Sequence, residues 1–115
     1  MKMIKDAEER YEENGNRYTR ISYTVGHYDV YVDDSVYADG STRRSISAVA
    51  ISNPYEDGRY LPSIYYDVDV FGRKAPDFKI QTTSYGSLNA DEFQKFIAAQ
   101  NAALEVVATL KKELL

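Results

Sequence analysis

The stretch from Leu88 to Leu115 constrains the fold of this chain more than any other. Asn89 is a favoured N-cap residue, and Glu92 stands three positions later, where a capping box needs its second member. Beyond it Phe93, Phe96, Ile97, Gln100, Ala103, Leu104, Val107, Leu110 and Leu114 recur at intervals of three and four, one apolar stripe with a single polar interruption at Gln100. Such a helix needs an apolar surface to lie on. Ala98, Ala99, Ala102 and Val106 form a second flank of small residues beside the stripe, read as a good helix-forming, partly exposed side.

The surface it needs is supplied by the middle of the chain. Residues 17–25 alternate in strand fashion, and Gly26-His27 permits a turn. Tyr28, Val30, Val32, Val36 and Ala38 then alternate with Asp29, Tyr31, Asp33, Ser35 and Tyr37, with only Asp34 breaking the apolar side. Asp39-Gly40 signals a hairpin into a strand over residues 42–52. Two registers fit it: Val30 opposite Val49 through a two-residue loop, or Val30 opposite Ala50 through a bulged three-residue loop. Further strands are expected over residues 63–71 and 77–83. Residues 2–13 read as a short helix, with Ile4, Ala7 and Tyr11 at i, i+3 and i+7 and Asn14-Gly15 as its left-handed cap, or else as a mobile acidic arm.

The expected fold is therefore α+β: an antiparallel sheet of four to five strands with a long C-terminal helix packed on one face, preceded by a short N-terminal helix. The 115 residues suit one domain, divided into the N-terminal segment 1–14, the sheet 17–83 and the helix 89–115.

Composition closes off several function classes. No cysteine is present, which excludes disulfides and thiolate chemistry, and the lone histidine, His27, excludes multi-histidine metal sites. The longest apolar runs are too short for a membrane span, and the first residues lack a signal-peptide apolar segment, so a cytoplasmic protein is expected. A net charge of -4 disfavours direct binding to nucleic acid and favours a basic partner. Eleven tyrosines, with no tryptophan, supply large rigid apolar bodies with polar tips, which suit half-exposed sheet positions and protein interfaces.

A helix on one sheet face leaves the other open. Asp29, Tyr31, Asp33, Tyr65, Asp67 and Asp69 are expected there together, as partner-binding residues. Neighbours at i and i+2 on a strand lie about 6.7 Å apart on one side. Carboxylates on that grid can imitate a phosphate backbone or plug a basic groove; the plainer reading is a solvated polar face whose aspartates prevent aggregation. Asp67 and Asp69 lack a third oxygen ligand nearby for magnesium or calcium, and His27 lacks a recognisable nucleophile partner. Arg43 and Arg44 place positive charge near the Asp39-Gly40 hairpin tip, where edge protection explains them. No motif carries a catalytic mechanism, and no cofactor or metal is expected.

Taken whole, the chain resembles the small accessory proteins of bacteriophages and mobile elements in being short, acidic, cysteine-free and tyrosine-rich, with one sheet and a terminal helix. Within that set it is similar to anti-CRISPR proteins, particularly those that inhibit Cas9-type nucleases by occupying the basic surface that reads target DNA. The resemblance implies a non-enzymatic DNA mimic, a protein-binding inhibitor working in the cytoplasm of a bacterial host, whose partner is a Cas9-type ribonucleoprotein or another nucleic-acid-handling protein. The alternative expectation is a phage structural protein that forms homodimers or larger assemblies through its C-terminal helix.

Overall fold

A computed structural model describes residues 1–50, 60–67, 75–82 and 85–115. Six strands, β1 (Met3–Glu13), β2 (Asn16–Val25), β3 (Tyr28–Val36), β4 (Thr42–Ala50), β5 (Ser63–Asp67) and β6 (Asp77–Gln81), form one antiparallel sheet in chain order. The helix α1 (Ala90–Leu114) follows. The class is α+β as the sequence indicates, with more strands than the four to five expected.

The N-terminal segment corrects the sequence reading. Met3–Glu13 is a strand paired along its length with β2, and neither a helix nor a mobile arm. Asn14 and Gly15 both have positive φ, 52° and 79°, and join Glu13 directly to Asn16. That is the geometry of a two-residue hairpin turn of type I′, for which Asn-Gly is the strongest sequence signal. The helical spacing of Ile4, Ala7 and Tyr11 is coincidental: a β-bulge between Lys5 and Ala7 shifts the register. Eight of the eleven residues from Met3 to Glu13 are charged or aromatic edge types, which suits a strand with one unpaired side.

Gly26, with φ 59°, allows an equally tight turn that sets Val25 opposite Tyr28. The third hairpin follows neither expected register. Val30 faces Ala48, Val32 faces Ile46 and Val36 faces Thr42. Its loop closes on Ala38, Asp39 and Gly40, with the Tyr37 and Gly40 amides donating to the Ser41 and Tyr37 carbonyls, each at 2.9 Å, and Gly40 at φ 86°. The Asp39 carboxylate accepts from the Ser41 amide and hydroxyl, which lowers its pKa. This register sets valine against alanine and isoleucine on one face, so burial selects it.

The core lies between that face and α1. Val25, Tyr28, Val30, Val32, Ile46, Ala48, Ile64 and Phe78 pack with Ala99, Ala103, Val106 and Leu110, while β1 adds only Met3. The buried tyrosine Tyr28 donates its hydroxyl to the Pro62 carbonyl at 2.7 Å, so its polar tip is satisfied. The capping box of α1 is complete: the Asn89 side chain accepts from the Glu92 amide at 2.9 Å, and Glu92 accepts from the Asn89 amide at 3.1 Å.

Helix α1 buries one edge of the expected stripe, Ala103 and Leu110, together with Ala99 and Val106 of the small-residue flank, and leaves the other edge of the stripe exposed. Ala99, Ala103, Val106 and Leu110 are 0–1% exposed, whereas Phe93 is 52%, Ile97 45% and Leu104 56% exposed. The buried line thus joins two small residues, Ala99 and Ala103, to the larger Val106 and Leu110.

Candidate functional site

Alternation along β3 puts Tyr28, Val30 and Val32 under the helix, and therefore Asp29, Tyr31 and Asp33 on the uncovered face, all half-buried among neighbouring strands. Pairing carries that face across the sheet. One row runs Ser22, Tyr31, Ser47, Tyr65 and Lys79, a second runs Thr24, Asp29 and Val49, and a third runs Glu9, Arg20, Asp33 and Ser45. Four of the expected partner-binding residues, Asp29, Tyr31, Asp33 and Tyr65, thus share one surface. Asp67 ends β5 opposite Asp77, and only its backbone is described; Asp69 lies outside the described residues.

One strand, β4, separates Tyr31 from Tyr65, so their backbones stand roughly 10 Å apart in one row, two strand spacings. Tyr65 is 38% exposed, and Val49 in the next row is 50% exposed. Two aromatic bodies at this spacing, with serine between them, form a surface that side chains of another protein can pack into.

Asp33 is not a free charge. The Arg20 guanidinium donates to both of its carboxylate oxygens, at 2.7 and 3.0 Å, and lies with its central carbon 4.9 Å from the Tyr31 ring centroid. A bidentate fork held over an aromatic face is fixed in two ways at once. Hydrogen bonding to Asp33 is also the largest cause of the upward shift in the Arg20 pKa. The sequence contained the signal for this contact. A two-residue turn at Gly26-His27 pairs Val25 with Tyr28, and counting back five residues on one strand and forward five on the other sets Arg20 opposite Asp33.

The charge of the face is accordingly mixed. Among its described residues Glu9, Asp29 and Asp33 are interleaved with Arg20, Arg43 and Lys79, and Asp6 accepts a hydrogen bond from the Thr24 hydroxyl at 2.6 Å. At the far end Tyr11 and Tyr18 stack across β1 and β2 with centroids 4.8 Å apart. Two shallow grooves flank this stack on opposite faces of the sheet, one of about 400 Å³ on the helix side and one of about 300 Å³ on the uncovered face. The first is lined by Arg10, Glu12, Arg17 and Val36, the second by Glu9, Arg20, Asp33 and Ser35, and Tyr11 borders both. Neither groove includes Asp29 or His27.

Other charges near these grooves are held in local pairs. Lys5 and Arg10 both donate to Glu8 and hold its carboxyl down to about 2. On the helix side of the sheet Arg44 donates to both oxygens of Asp34, at 2.7 and 2.9 Å. Arg44 is thus a cross-strand partner rather than a charge at the hairpin tip. Among the described residues no group of three or more histidine, cysteine, aspartate or glutamate side chains could hold a metal ion. No helix among them is long and apolar enough to cross a membrane. The chain matches no protein-family model, no curated protein and no solved structure.

Proposed function

We propose that this chain is a non-enzymatic binding protein that acts through its uncovered sheet face, and that its partner is a protein with a basic surface that handles nucleic acid. The observation that carries the reading is the fixed cluster of Tyr31, Arg20 and Asp33 beside the exposed ring of Tyr65. A preorganised aromatic and charged surface loses little conformational freedom on binding, and tyrosine and arginine are the side chains that most often dominate the energy of an interface. Asp29 and the overall charge of -4 favour a basic partner and speed encounter with it. The narrower form of the proposal, prompted by the resemblance to anti-CRISPR proteins, is inhibition of a Cas9-type ribonucleoprotein by competition with DNA.

Direct titration of the chain against a purified Cas9-type ribonucleoprotein, with and without target DNA, tests both forms. Tight binding that DNA displaces is the expected result. Tyr31→Ala and Tyr65→Ala are expected to weaken it by roughly tenfold or more each, the scale of central interface aromatics. Asp29→Asn is expected to flatten its salt dependence. Absence of binding removes the narrower proposal, and binding that ignores both tyrosine substitutions removes the sheet face as the contact surface.

A further inference from the structure

Helix α1 carries a second apolar seam whose largest members stand outside the core formed by the described residues. Phe93, Ile97, Gln100, Leu104, Val107 and Lys111 fall at alternating intervals of four and three, the spacing by which one helix keeps a continuous stripe toward another helix. The seam lies away from the buried line of Ala99, Ala103, Val106 and Leu110, and its largest members, Phe93, Ile97 and Leu104, are about half exposed. Gln100 does not interrupt it. Its amide nitrogen donates to the Tyr60 carbonyl at 2.9 Å, which holds the polar end toward the chain's own backbone. At the N-terminal end Phe93 stacks on Phe96, which meets Tyr85 and Tyr60 edge-on, so the exposed ring is backed by a rigid aromatic cluster.

We infer that a second copy of this chain covers the seam, with the two α1 helices packed antiparallel about a two-fold axis near residue 102. The distribution of charge selects both the partner and the direction. Asp91 and Glu92 occupy the first turn and Lys111 and Lys112 the last. An antiparallel pair sets the basic end of each helix beside the acidic end of the other and opposes the two helix dipoles, whereas a parallel pair sets like charge against like. In this register Ile97 meets Val107 of the other copy and Leu104 meets its Gln100 stem, while Lys111, which pairs with Asp77 of its own chain at 3.6 Å, stands level with the other copy's Phe93. A helix roughly 37 Å long and about 10 Å across offers less than the roughly 800 Å² per partner of a standard stable interface. The dimer is therefore weak and concentration-dependent, and the sheet face stays open in it.

Sedimentation equilibrium on the full chain, from low micromolar concentration to the solubility limit, tests the inference. The expected result is a monomer–dimer equilibrium that Leu104→Glu abolishes, with the thermal midpoint of the dilute monomer unchanged because Leu104 lies outside the core. Orientation is read from single cysteines, which the chain otherwise lacks. Asn101→Cys, close to the axis, is expected to oxidise to a linked dimer, while Gln94→Cys, two turns away, is not. A chain that remains monomeric at every concentration overturns the inference and leaves the seam to a different protein. So does a dimer that survives Leu104→Glu, which places the contact elsewhere, or equal cross-linking of the two cysteine variants, which rejects the antiparallel arrangement.

Discussion

A charged residue on the buried side of a sheet is tolerated only when its partner is supplied by the adjacent strand, and Asp34 illustrates the rule. It shares the face of Val30, Val32 and Val36, where a lone carboxylate would be costly. Arg44 stands opposite it on β4, binds both of its oxygens and approaches the Leu114 carbonyl at 3.4 Å, near the end of α1 where a cation is favoured. Both side chains keep a third or more of their surface, so solvent screens the pair. Arg44→Ala is expected to lower unfolding free energy by about 1 kcal/mol, since it leaves Asp34 unpaired. Replacing both residues together, as Asp34→Val with Arg44→Leu, is expected to recover that loss, because the pair is there for compatibility with the core rather than for net stability. Urea unfolding of the two variants against the parent checks this, and a double variant less stable than Arg44→Ala would show the ion pair to be a net stabiliser.

At the scale of the element, periodicity identified α1 and its cap but not which side of it is buried. Two apolar lines coexist on this helix, one of large residues and one of small, and hydrophobicity alone ranks the larger line first. The sheet instead receives the line of Ala99, Ala103, Val106 and Leu110, which leaves Ile97 and Leu104 about half exposed. Ala103→Leu is accordingly expected to destabilise by about 1–3 kcal/mol through overpacking, while Leu104→Ala leaves the dilute monomer within about 0.5 kcal/mol of the parent. Near-equal effects at the two neighbouring positions, measured by chemical denaturation at low concentration, would contradict the observed rotation of the helix.

The hairpins were legible wherever turn chemistry was decisive, as at Gly26. At Asn14-Gly15 two principles competed for the same dipeptide, a helix cap and a type I′ turn, and the apparent helical spacing before it favoured the wrong one. The register of β3 on β4 was not legible from turn residues, because Asp39-Gly40 fits loops of two and three residues. It follows only when the Asp39 to Ser41 bonds and the valine to alanine and isoleucine contacts are considered together. For the candidate site, alternation was enough to place Asp29, Tyr31, Asp33 and Tyr65 on one face. It did not reveal that Arg20 neutralises Asp33, since that depends on pairing between strands.

Considered whole, the molecule is supported unevenly. The strand residues that form the core with α1 come from β2 through β6 and, apart from Met3, not from β1. The part left over is β1, where every residue after Met3 is exposed and only Met3 reaches the core. Its cohesion rests on the ladder to β2 and on exposed pairs such as those of Glu8, which contribute little in water. Opening of β1 therefore costs less than global unfolding, while β3, buried under the helix and paired on both sides, opens only with the whole fold. Hydrogen exchange at low protein concentration is expected to show amides of β1 that point toward β2 exchanging at least about tenfold faster than those of β3, since as little as 1.4 kcal/mol separates such rates. The charges that mark β1 then have a definite task. A strand that separates from its sheet exposes backbone groups able to pair with other chains, and carboxylates and basic side chains along both of its faces oppose that pairing. Equal protection of β1 and β3 would mean that something outside the described contacts holds the edge closed. Protection that rises with protein concentration, and persists in the Leu104→Glu variant, would locate that support in edge-to-edge association of β1 itself.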